Sequence, residues 1–133
     1  MTLEQLEAYR ANRAELEAVT DELAGEEVTV AVLSASTFPY SQHTATQDGL
    51  PPTERVKALL ARQARLRTAC TAVERFAESI EDDELRTIIR LRFIASGRKP
   101  SWFEIALKLG YRSEHTPYRK LTDYLLSLHK NGE

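Results

Sequence analysis

Apolar residues return at spacings of three, four and seven along most of this chain, and that period commits it to packing helix against helix. Leu3, Leu6, Tyr9, Leu16, Val19 and Leu23 form the first stripe, interrupted at Arg13, with Glu, Gln, Asn and Arg on the other faces. Thr2 is placed to cap this run and Gly25 to end it, which predicts a helix over 3–24. A second stripe, Val56, Leu59, Leu60, Leu66, Cys70, Val73, Phe76 and Ile80, contains Gln63 and predicts a helix from Pro52 or Thr53 to Ile80. A proline at the first helical position removes an N–H that has no partner within the helix. Two long helices with one apolar stripe each bury them in an antiparallel hairpin, or between two chains in a dimeric coiled coil.

Between them, residues 26–51 break the period. Val28, Val30 and Val32 alternate as a short strand would, and Gln42, Thr44 and Thr46 offer a returning strand. Ser34, Ser36, Pro39, Gly49, Pro51 and Pro52 are loop punctuation. Phe38-Pro39-Tyr40 has two readings, an aromatic plug for a partner or a cover folded over the open end of the hairpin; the second is favoured.

Beyond Ile80 the elements shorten. Residues 82–96 place Leu85, Ile88, Ile89, Arg92 and Phe93 on one helical face, either continuing the second helix or starting after a break at Asp82-Asp83. Gly97, Arg98, Lys99 and Pro100 end this segment. Ser101 with Glu104 three residues on is a capping box, followed by the inward face Trp102, Ile105, Ala106 and Leu109. Gly110 stands where a reversal needs positive φ. The last helix is capped by Ser113, or by Thr116 with Pro117 in the first helical position; Leu121, Tyr124, Leu125 and Leu128 face inward.

Three short helices with these links have the pattern of a helix-turn-helix. The expected fold is therefore all-α: a long N-terminal helical hairpin with an intervening loop (1–81), then a C-terminal helix-turn-helix domain (82–133). Charge follows the same division. Residues 1–81 carry 8 Lys/Arg against 13 Asp/Glu, a net −5, whereas residues 82–133 carry 10 against 7, a net +3. A basic half joined to an acidic one suits contact with a polyanion through that half only. The face left outside the last helix has the chemistry for double-stranded DNA: His115, Tyr118 and Arg119 for base edges, and Arg98, Lys99, Arg112 and Lys120 for phosphates. Ser101, Ser113 and Thr116, at the two helix starts, join them as DNA-binding candidates.

Other chemistry finds little footing. His43, His115, His129 and Cys70 fall on different expected elements and match no metal-ligand spacing. No serine or threonine sits in a strand–turn–helix elbow, and no glycine-rich phosphate loop is present. Asp82-Asp83-Glu84 reads as acidic complement to a helix start. The expectation is a non-enzymatic protein without cofactor or metal. One cysteine, no signal peptide and no apolar run of about 20 residues add the expectation of a soluble, cytoplasmic protein that does not enter a membrane.

The stretches Leu85-Arg86-Thr87-Ile88-Ile89-Arg90-Leu91-Arg92-Phe93-Ile94, Ser101-Trp102-Phe103-Glu104-Ile105-Ala106-Leu107-Lys108-Leu109-Gly110-Tyr111 and Ser113-Glu114-His115-Thr116-Pro117-Tyr118-Arg119-Lys120 resemble the C-terminal DNA-binding region of bacterial sigma factors. They are closer still to small sigma-like regulators of phages and prophages of low-GC bacteria, and Ser36–His43 with Gly49 resembles their linker between two N-terminal helices. The resemblance implies a transcription regulator that binds promoter or phage DNA and contacts RNA polymerase. The chain is too short for an evident promoter-opening region. A DNA-packaging component like a small terminase subunit and a purely structural interaction module are the competing readings, and a homodimer would suit paired half-sites.

Overall fold

The computed structural model describes residues 1–35 and 52–131, and all regular structure among them is helical. The elements are α1 (Leu3–Ala35), α2 (Pro52–Ser79), α3 (Asp83–Ile89), a single π-helical turn (Arg90–Ile94), α4 (Trp102–Leu109) and α5 (His115–Lys130). No helix among the described residues is long and apolar enough to cross a membrane.

α1 begins at a closed capping box. The Thr2 N–H donates to Gln5 Oε1 at 2.8 Å, and the Gln5 N–H donates to Thr2 Oγ1 at 3.2 Å. The helix does not stop at Gly25 but continues to Ala35, so the strand expected at Val28, Val30 and Val32 is replaced by helix. The physical reason is one of scale. An interior glycine costs a helix about 1 kcal/mol and each β-branched residue roughly half that. Neither is enough to end a helix already carried by good formers on both sides. The proposed returning strand at Gln42–Thr46 and the Phe38-Pro39-Tyr40 motif lie outside the described residues.

Gly25 has nothing within 4 Å of where a Cβ would stand. Gly25→Ala is thus expected to stabilise the protein by about 0.5–1 kcal/mol, seen as a higher urea midpoint; an unchanged or lower midpoint would mean the helix is interrupted there in solution.

The contacts divide the described chain into two compact units, Met1–Ala11 with Ala69–Glu133, and Asn12–Thr68. The 81/82 division suggested by charge falls inside the first of them. Within Asn12–Thr68, Leu16, Val19 and Leu23 of α1 are buried. Polar bridges tie α1 to α2: Arg62 to Glu15, Gln63 Nε2 to Thr20 Oγ1 at 3.1 Å, and Arg55 to Glu26 at 3.0 Å. Later residues of α1 meet earlier residues of α2, so the helices run antiparallel here. Leu60, assigned to the inward stripe from spacing, is 48% exposed. Val56, Leu59, Gln63 and Leu66 are half-buried.

In the other unit the first turns of α1 lie against the last turns of α2, where the Tyr9 hydroxyl donates to Glu74. The core takes Leu6 and Tyr9 from α1, Cys70, Val73 and Ala77 from the end of α2, Ile80 just past it, and Leu85, Ile88, Ile89 and Phe93 further on. Ile105, Ala106, Leu121 and Leu125 complete it from α4 and α5. α2 ends at Ser79, whose hydroxyl donates to the Phe76 carbonyl, and a break separates it from α3. Asp82 makes that break, its carboxylate accepting from the N–H groups of Glu84 (2.9 Å) and Leu85 (3.1 Å).

The segment 82–96 is not one regular helix. After Ile89 the backbone widens into the π turn, closed by the Ala95 N–H on the Arg90 carbonyl at 2.7 Å. Arg10 of α1 reaches this segment, donating to the carbonyls of Gly97 (2.8 Å) and Leu91 (3.4 Å).

Candidate nucleic-acid interface

Both α4 and α3 pack on α5. Ala106, 1% exposed, supplies the small side chain at the α4 contact face. The reversal between α4 and α5 depends on Gly110, at φ 85° and ψ 17°. A residue with a Cβ is strained in that left-handed region. The N–H of Tyr111 returns to the Ala106 carbonyl at 2.8 Å and closes the helix end.

Ser101 caps α4, its hydroxyl accepting from the Glu104 N–H at 3.1 Å. The Glu104 carboxylate takes both arms of the Arg98 guanidinium, at 3.1 and 2.8 Å. Arg98 first, and the Ser101 N–H more weakly, hold that carboxyl below its usual range. Asp82 is likewise held low, chiefly by the Leu85 N–H, with Lys120 and the Glu84 N–H adding to it. Both carboxyls have folded values below their unfolded ones. Their stabilisation is therefore present above the ordinary carboxylate range, near pH 4, and is lost as pH falls through the folded values. The denaturant midpoint should be flat from about pH 7 to 5 and fall below about pH 4, with Asp82→Asn and Glu104→Gln flattening that fall; an unaltered acid limb in the double variant would remove both groups as its cause.

α5 starts at His115 with Glu114 at its N-cap, whose side chain makes no capping bond; the Ser113 hydroxyl, one residue earlier, accepts from the His115 N–H at 3.2 Å. Thr116 is not the cap. Pro117 is the third helical residue and is fully buried, tolerated because first-turn N–H groups need no helical partner. His115, Thr116, Tyr118 and Arg119 all lie on the exposed side of the first turns of α5, as do Arg112 and Ser113 just before it.

The named cations divide into two sets. Arg98 is neutralised by Glu104, and Lys120 sits 3.3 Å from both Asp82 and Glu84, its side chain only 32% exposed. Lys99, Arg112 and Arg119 are exposed, with no ion pair among the described residues. Spacing alone could not separate the sets, because the partners of Lys120 are some 36–38 positions away in sequence.

Two shallow hollows flank the start of α5. The first, about 420 Å³, is lined by Arg92, Ser101, Trp102, Glu114, His115 and Tyr118. The second, about 510 Å³, is lined by Ser113, His115, Thr116, Arg119, Lys120 and Asp123. His115 forms the ridge between them.

Arg92, read from spacing as part of the apolar stripe, is instead a wall of the first hollow. Its guanidinium lies 4.9 Å from the Trp102 ring centroid and donates to the Pro100 carbonyl at 2.6 Å. Partial burial pulls its basicity down. Trp102 also meets Phe93 (6.3 Å) and Tyr118 (5.3 Å) edge to face. The only sequence signal for this cluster was three aromatics and an arginine on consecutive short elements. Glu114, an acid in the lining of the first hollow, carries no such signal in the sequence.

Among the described residues no group of His, Cys, Asp and Glu is arranged to hold a metal ion. Comparison with protein-family models, curated proteins and solved structures gives no match to this chain.

Proposed function

We propose that α4, the Gly110 turn and α5 form a helix-turn-helix whose α5 enters the major groove of double-stranded DNA, and that the protein is a sequence-specific transcription regulator of the sigma-like phage and prophage type. The antiparallel α1–α2 pair serves as its N-terminal helical hairpin. The observation that carries the reading is the exposed start of α5: His115, Tyr118 and Arg119 side by side, following a glycine-based reversal and flanked by unpaired Arg112 and Lys99. Donors at the start of such a helix meet base edges, while flanking cations neutralise phosphates. The resemblance of Ser101–Lys120 to sigma-factor DNA-binding regions supports the regulatory role and a contact with RNA polymerase.

The test is duplex binding by fluorescence anisotropy across a salt series. Two phosphates engaged by Lys99 and Arg112 predict a slope of log K against log salt of about −2. Absence of salt-sensitive affinity for any duplex would overturn the DNA reading. A large closed ring in light scattering would overturn the regulator in favour of a packaging component, whereas a monomer or dimer agrees with it.

A further inference from the structure

The first hollow has a chemistry that the proposed role has not used. Its inner wall is aromatic, the Trp102 indole with the Tyr118 ring against it at 5.3 Å and 79°. Tyr118 is 40% exposed, so this wall is open to a ligand from outside. The polar lining of the hollow comes from Tyr118, His115, Ser101 and Glu114. Resting on the helix-turn-helix reading above, this hollow lies between the starts of α4 and α5, on the side turned toward DNA.

Two occupants are chemically conceivable there, a backbone phosphate and a base edge. Glu114 opposes the first, since a carboxylate in the lining repels a phosphate. Arg92 does not offset it fully, because its guanidinium is committed to the Trp102 face and the Pro100 carbonyl. An uncharged group with an apolar protrusion and an adjacent acceptor fits better. In the major groove thymine alone presents that combination, a 5-methyl group beside the O4 acceptor.

We infer that the Trp102–Tyr118 hollow is a specificity pocket for thymine. The methyl group packs on the two aromatic side chains, and O4 accepts a hydrogen bond from the Tyr118 hydroxyl or the His115 N–H. Trp102 also holds the Tyr118 ring in place through its edge-to-face contact.

The experiment begins by selecting bound duplexes from a random library, then replaces each thymine of the selected site by deoxyuridine, one at a time. Deoxyuridine keeps pairing, charge and O4 and removes only the methyl. At one thymine per bound copy the replacement should weaken binding about four- to tenfold, the effect of one buried methyl group, with the salt slope unchanged. In Tyr118→Ala that discrimination should shrink to less than about twofold, while Trp102→Phe should retain part of it; a thermal melt confirms that each variant is folded. If a site is selected yet no deoxyuridine substitution alters affinity, the pocket assignment is overturned and the DNA reading stands. Discrimination that persists unchanged in Tyr118→Ala also overturns it, by placing the methyl elsewhere. Failure to select any site, with no salt-sensitive binding, overturns the DNA reading itself.

Discussion

Leu121→Ala is expected to lower the unfolding free energy by about 3 kcal/mol, within the 2–5 kcal/mol range for a buried leucine. Leu121 is 0% exposed and belongs to α5, which packs against both α3 and α4. Removing its isobutyl group loses transfer energy and leaves a void that three helices cannot all collapse into at once. A domain with 5–15 kcal/mol of stability survives this but is strongly weakened, with a Tm lower by roughly 10 °C. Leu126, five residues further on and 58% exposed, is the matched control; its alanine variant should change stability by no more than about 0.5 kcal/mol. Paired urea melts decide the matter. Equal effects at the two positions would mean that α5 does not pack as described.

The second large effect concerns binding. Arg119→Ala is expected to weaken binding to the selected duplex by about 1–3 kcal/mol, roughly 5- to 150-fold, and to relax base preference at one position. Arg119 is exposed, lines the second hollow and has no ion pair among the described residues. Its guanidinium is therefore available for a bidentate contact, most simply with guanine. Lys120, its neighbour, is held by Asp82 and Glu84, so Lys120→Gln should affect stability more than DNA affinity. Arg112→Ala should weaken all duplexes alike and make the salt slope shallower by about 0.9. If Arg119→Ala behaves like Arg112→Ala, with uniform loss and a shallower slope, Arg119 is a phosphate contact and not a base reader.

Capping and turn chemistry were legible at single-residue resolution because they are local. Thr2, Ser101 and Gly110 each satisfy backbone groups, or adopt a φ angle, within about one helical turn of themselves. The apolar period likewise marked nearly every core residue of the α1 start and of α3 to α5. Local arguments failed where competing local signals had similar weight. Gly25 and the three valines outscored helix propensity in a short window but not in a helix of 33 residues. Ser113 and Thr116 were equivalent caps from sequence, and the structure places Glu114 at that position, with Pro117 buried as the third helical residue.

What sequence by itself determined is the all-helical class, the break at Asp82 as one of two options, the Gly110 reversal and the set of polar residues at the start of α5. Only the tertiary structure decided which of those residues are free to act. Arg98 and Lys120 are tied to carboxylates, Lys99, Arg112 and Arg119 are not, and Arg92 and Trp102 turn from stripe members into the wall of a hollow. The reason is physical: helical period and capping depend on neighbours within four positions, whereas the state of a charge depends on whatever the fold brings within about 4 Å of it.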